Sequence, residues 1–158
     1  MLRSVSLLLL VVLAVPGASA LAQSPQTTGH HTVVAADAIQ WKPLRPGAEI
    51  AMVSGDPDKE GSPFVLRLRY HVKSRIPPHW HPKDEHITVL SGTFRLGMGA
   101  SGDEQATTAL ATGGYAFVTA KMAHYGWADA DTMVQVHGIG PFAINYVNPA
   151  DDPKRSGK

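Results

Sequence analysis

An all-β sandwich or barrel is the fold class this sequence predicts, on three observations. Short apolar runs recur along the chain, each broken by glycine, proline or aspartate after about ten residues or fewer. One run, 64–72, alternates, with Phe64, Leu66, Leu68, Tyr70 and Val72 on one side and Arg67, Arg69 and His71 on the other. That is the period of a strand with one buried face. No stretch keeps a helical period for longer than two turns.

The elements follow in order. Arg3 precedes an unbroken apolar run at 7–15, and small-x-small sequences follow at Ala18-Ser19-Ala20 and Ala20-Leu21-Ala22. This is the pattern of a secretory signal peptide, 1–22. The run is too short for a membrane span, which needs about 20 residues. Cleavage is expected after Ala22, with Ala20 the alternative. The expected location is periplasmic or secreted, with no membrane attachment after cleavage. Residues 23–40 are polar and aperiodic and read as a flexible segment; the neighbours His30 and His31 within it cannot both face one point on a strand. The barrel is expected at 41–147, with Trp41 and Leu44 as an apolar lead-in. Strands are expected at 50–53, 64–72, 87–90, 93–98, 107–111, 115–119, 125–128, 132–138 and 142–147, with turns at 54–57, 91–92, 99–103 and 113–114. Residues 148–158 are polar, contain Pro149 and Pro153, and read as a frayed tail.

Composition excludes several functions. The 158 residues carry 14 Lys plus Arg against 13 Asp plus Glu. Removing 1–22 takes Arg3 alone and leaves the two signs balanced. With no basic block, a nucleic-acid partner is not expected. There is no cysteine, so disulfides, thiolate metal sites and cysteine nucleophiles are excluded. No phosphate-cradling glycine loop is present; Gly97-Met98-Gly99 lacks the further glycine and the helix of a dinucleotide fingerprint.

The chemistry concentrates in Pro77-Pro78-His79-Trp80-His81-Pro82-Lys83-Asp84-Glu85-His86. The prolines preset extended backbone, where residues i and i+2 point to the same side. His79 and His81 therefore present two imidazoles to one point while Trp80 faces away. Imidazole and carboxylate together suit a first-row divalent metal. A lone His-x-His also fits two solvated histidines; the full string His-x-His-x3-Glu-x6-Gly, ending at Gly92, is far more specific.

That string resembles the first motif of the cupin superfamily, Gly-x5-His-x-His-x3,4-Glu-x6-Gly. His79, His81, Glu85 and Gly92 fall on it, and Lys73 stands at the opening glycine. The second motif, Gly-x5-Pro-x-Gly-x2-His-x3-Asn, is met by Gly113 and His124. Thr119, Lys121 and Ala128 stand at its proline, second glycine and asparagine. The run 78–92, with 138–142 and 146–149, looks like small secreted cupin-2 proteins of bacteria. The resemblance covers roughly 64–147. It implies a double-stranded β-helix (jelly-roll) barrel and one divalent transition metal held by His79, His81, Glu85 and His124, with manganese, iron or zinc foremost. It also implies a homodimer, since cupin sheets commonly pair through an edge.

Parity sorts the remaining histidines. If Glu85 points inward with Ile87 and Val89, His86 points outward with Thr88, toward solvent or a second subunit. His71 falls on the charged face of its strand. His137 shares a face with Gln135; it either lines the cavity as a proton relay or is a satisfied core histidine. Tyr115 is a further candidate for the cavity rim, and it and His137 are the candidate catalytic acid or base. The expected function is that of a metal-dependent enzyme of oxygenase, isomerase or decarboxylase class acting on a small oxygen-rich molecule. The alternative is a non-catalytic module responsive to a ligand or metal.

Overall fold

The alternation read at 64–72 becomes β3 (Pro63–Tyr70) of the computed structural model, which describes residues 31–153 and 155. Its inward side chains Phe64, Leu66 and Tyr70 are buried. Val72 falls beyond the strand and is exposed. β3 is the third strand of a six-stranded sheet. Its other members are β1 (Lys42–Arg45), β2 (Ala48–Gly55), β5 (Glu85–Ser91), β8 (Tyr115–Val118) and β10 (Thr132–Ile139), and the order is β1-β2-β3-β10-β5-β8. A five-stranded sheet packs against it in the order β11-β4-β9-β6-β7. Its strands are β4 (Arg75–Trp80), β6 (Thr93–Met98), β7 (Thr107–Ala111), β9 (His124–Ala128) and β11 (Asn145–Tyr146). All pairings are antiparallel. Apart from the consecutive pairs β1-β2, β2-β3 and β6-β7, strands adjacent in a sheet are separated along the chain and the connections cross between the sheets, which is the jelly-roll arrangement.

The core lies between the sheets. Ile87, Val89, Val118, Val134 and Val136 meet Phe94, Leu96 and Ala128 across it, and Tyr70 stacks on Phe94 with ring centroids 5.9 Å apart. Burying each of the valine, leucine, isoleucine and phenylalanine side chains contributes about 1.5–3 kcal/mol. Along β10, Thr132, Val134 and Val136 are buried while Met133, Gln135 and His137 face the other way.

The turns repay attention because they carry the motif glycines. Gly92 and Gly113 have φ of 79° and 85°, and a Cβ at Gly92 would overlap the Asp131 carbonyl. At the two motif positions where lysine stands for glycine, Lys73 and Lys121 have φ of 68° and 65°. The left-handed turn is kept although a side chain must strain to enter it.

Several segments differ from expectation. The lead-in is a paired strand, β1, and Ile39 before it is buried after a 3-10 turn at Ala36–Ala38. The strand expected at 142–147 shrinks to β11, and residues 142–144 cross the end of the barrel irregularly. The expected tail begins with an ordered 3-10 turn, Pro149–Asp151, whose first free N–H, that of Ala150, donates to the Asn148 side chain at 3.0 Å. The expected signal peptide lies outside the described residues. No helix among the described residues is long and apolar enough to cross a membrane.

Candidate metal centre

Alternation puts His79 and His81 on one side of the chain, both buried with Trp80 between them, and a bulge just before the pair sets which side that is. The β4–β9 register shifts between Ile76 and His79, so three steps of β4 oppose two of β9. The extra residue falls at Pro77-Pro78, which have no N–H to give the ladder. Past this bulge His79 faces the interior opposite His124, its register partner on β9. His81 follows just beyond the end of β4, and Glu85 opens β5. All four are buried, with exposures of 2–5%.

The histidines share one hydrogen-bonding scheme. His79 Nδ1 lies 2.8 Å from the Pro77 carbonyl, His81 Nδ1 2.9 Å from that of Ala143, and His124 Nδ1 3.1 Å from that of Met122. A carbonyl only accepts, so each Nδ1 carries the proton and each Nε2 keeps its lone pair. Phe142 stacks on the His81 ring at 3.9 Å between centroids, holding its plane. One ring nitrogen from each of the three lies within 4.8 Å of the others. Glu85 Oε2 is 3.0 Å from His124 Nε2 and 3.6 Å from His81 Nε2. His81 Nε2 and Glu85 Oε2 are buried with no hydrogen-bond partner.

Facing lone pairs in a buried site repel unless a proton or a cation lies between them. The proton affinities express that tension. Burial, with the His124 ring beside it, pushes His79 down to about 3. Burial likewise lowers His81 against the pull of Glu85. For His124 burial alone would lower the value, but the Glu85 carboxylate outweighs it and the imidazole titrates above its ordinary range. Burial would raise Glu85, yet the contact with His124 and the nearby His81 hold it down. The donor set of three imidazoles and one carboxylate fits a first-row divalent cation, which turns each of these contacts attractive.

The four groups sit in the wall of a cavity of about 170 Å³ between the sheets, otherwise lined mainly by aliphatic and aromatic side chains. Four further polar side chains line it, Arg45, Tyr70, Tyr125 and Tyr146; the Tyr125 hydroxyl is committed to the Asp103 carbonyl at 2.8 Å, which leaves Arg45, Tyr70 and Tyr146 from β1, β3 and β11. Burial raises both phenols, and the Arg45 guanidinium draws each back down.

The candidate acid and base read from the sequence are elsewhere. His137 and Tyr115 are absent from the cavity wall. Val134 and Val136 take the inward positions of β10, so His137 must face out, where its ring stacks on His86 at 4.6 Å. Tyr115 is exposed and its hydroxyl meets His86 Nδ1 at 2.7 Å. His86 is thus directed away from His79, His81, Glu85 and His124, as parity predicts. His71 is solvated, 3.7 Å from Asp131.

A family model described as the ChrR cupin-like domain matches residues 29–143. No curated protein matches the sequence. Among solved structures, the polyketide cyclase RemF from Streptomyces resistomycificus aligns with a TM-score of 0.63 at 17% identity, over 78% of this chain and 90% of that one. An RmlC-like cupin from Shewanella frigidimarina aligns at 0.57 and 11%, over 70% and 93%. Salicylate 1,2-dioxygenase from Pseudoaminobacter salicylatoxidans, solved with gentisate, aligns at 0.56 and 14%, over 67% of this chain but only 30% of that one. At these identities the likeness establishes the jelly-roll fold and nothing finer.

Proposed function

The chain belongs to the ChrR cupin-like family, and on that footing we propose that it is an exported metal-dependent enzyme acting on a small molecule inside the barrel. One observation carries the reading. Three imidazole lone pairs and a carboxylate oxygen converge, buried and without proton donors between them, on a largely apolar cavity between the sheets.

His79, His81, Glu85 and His124 would hold one divalent ion, with manganese, iron or zinc the candidates. Such an ion supplies a Lewis acid with coordination positions open to a substrate oxygen, and iron adds the capacity to activate O₂. The protein supplies the rest. Carbonyls 77, 122 and 143 fix the imidazole tautomers, and the aliphatic walls exclude water. Tyr70 and Tyr146 keep their protons near the site and can donate a hydrogen bond to a developing oxyanion. The substrate expected from these walls has an apolar body, with its oxygens at one or two ends rather than spread over it. Two copies pairing through the β8 edge, where Tyr115 and Phe117 are exposed, form the proposed homodimer.

Elemental analysis of protein purified without chelators tests the metal: about one equivalent of manganese, iron or zinc per chain is expected. The metal-loaded protein is then assayed for O₂ uptake and for turnover of aromatic hydroxy acids, gentisate included. Tight binding with no product would replace the enzyme by the ligand-responsive module; protein that refuses every one of these metals would remove the metal-dependent enzyme.

A further inference from the structure

Leu44 and Arg45 are neighbours in sequence, yet both line the cavity. Strict alternation on a strand forbids that. The β1–β2 register shows how it arises: Pro43 pairs with Glu49, but Arg45 pairs with Ala48, so one extra residue is inserted in β1. Bulges of this kind re-aim a side chain, and they concentrate beside functional sites. Here the result is a half-buried guanidinium directed into an apolar chamber, the only Lys or Arg among the described residues of its wall. It shares that wall with Tyr70 and Tyr146, and its charge acts on both phenols.

A cation facing such walls is under-solvated and gains most from an anion that enters with a ligand. The guanidinium is planar and offers a fork of parallel N–H groups, which matches a carboxylate. The two phenols add neutral donors. Leu44, Ile50, Leu68, Ile76 and Ile144 provide no partners for a polar body. At about 170 Å³ the cavity is smaller than the roughly 300–1,000 Å³ usual for drug-sized ligands, so it suits a compact molecule.

We propose that Arg45, with Tyr70 and Tyr146, forms a carboxylate-recognition end of the cavity, so that the ligand is a compact monocarboxylic acid with an apolar or aromatic body. This rests on the proposed use of the same cavity for a small molecule, but not on the metal. Asp151 and Asp152 also act on Tyr146. If they neutralise Arg45 fully, the cavity has no preference for anions.

Calorimetric titration separates these cases. The probes are benzoate, phenylacetate and 3-phenylpropanoate, each against its uncharged amide, on metal-loaded and on chelator-treated protein. At least one acid is expected to bind 10-fold or more tighter than its amide. Arg45→Gln should abolish that ratio, weakening the acid far more than the amide, while leaving metal content unchanged, and Arg45→Lys should restore it only in part. Equal affinity for acid and amide, binding of neither, or a preference that survives Arg45→Gln overturns the carboxylate site. Metal content is read on the same samples. A chain without metal that still prefers the acid therefore sinks the metal reading and leaves this one standing.

Discussion

His124 Nε2 and Glu85 Oε2 lie 3.0 Å apart in the cavity wall, and each turns a lone pair toward the other. The His124 proton is committed to the Met122 carbonyl at 3.1 Å. Such a contact is stable only with positive charge in it, and the choice is a proton on the imidazole or a bound ion. Glu85→Gln removes the charge but keeps the shape. Metal affinity should fall by about 10-fold or more, since an anionic ligand offsetting part of the ion's charge is lost. His86→Gln, one residue on but facing outward, should leave metal content unchanged. Competition against a chromogenic chelator measures both; equal losses would mean that the strand parity at β5 does not hold in solution.

The same groups set the acid stability of the metal-free protein. His79 and His81 titrate lower in the fold than in the unfolded chain because burial disfavours their charged forms. Below an unfolded value of about 6.5 the unfolded chain therefore binds more protons, and stability falls with pH. His124 is raised, so its contribution is already complete below about 6.5 and is lost only as pH rises through its folded value. Glu85 is lowered; its contribution is present above about 4.5 and lost as pH drops through its folded value. Between about pH 6.5 and 4.5 the two lowered imidazoles thus dominate, and urea midpoints in excess chelator should fall by an equivalent of about 1 kcal/mol per pH unit. A flat profile over that window would show that the imidazoles are not buried uncharged.

The proposed dimer has its own test. β8 is an edge strand, and Tyr115 and Phe117 are 53% and 48% exposed on it, with His86 against both rings. Edge strands with exposed aromatic side chains invite a second strand. Light scattering should give a dimer for the wild type at micromolar concentration and a monomer for Phe117→Glu. A monomeric wild type removes the dimer without touching the cavity.

How much of this was legible in the sequence depended on how local each signal was. His79, His81 and Glu85 lie within one short segment, so spacing and a proline-set strand were enough to group them. His124 comes from a distant strand and was reached only through the family motif. Arg45 was invisible, because alternation puts it opposite Leu44 and a one-residue bulge has no composition of its own. His137 was misplaced although a signal existed: Val134 and Val136 mark the buried face of β10, which leaves 135 and 137 outside. Residues 142–144 read as strand because they are apolar, whereas their apolarity serves to cover His81 through Phe142.

The two lysines in left-handed turns make the last prediction. Lys73 and Lys121 occupy glycine positions of the two family motifs at φ of 68° and 65°. Each turn is needed for a specific bond: Lys73 N–H donates to the Ala128 carbonyl and Lys121 N–H to that of His81, both at 2.8 Å. The second bond ties the turn before His124 to the metal-ligand segment. Both side chains are exposed, so a glycine would keep the bond and lose no buried contact. A non-glycine residue in this conformation costs about 1–2 kcal/mol, and glycine returns about 0.5–1 kcal/mol of that through the freer unfolded chain. Lys73→Gly and Lys121→Gly should therefore each stabilise by about 0.5–1 kcal/mol, additively because their bonding partners differ. Metal content should not change. The reverse exchange should discriminate between the native glycines. A Cβ at Gly113 meets nothing within 4 Å, whereas one at Gly92 overlaps the Asp131 carbonyl. Gly113→Lys should then cost only the backbone strain, about 1–2 kcal/mol, and Gly92→Lys clearly more. Urea unfolding of the four variants measures this; a loss of stability in both lysine-to-glycine variants would mean that those side chains stabilise the turns rather than strain them.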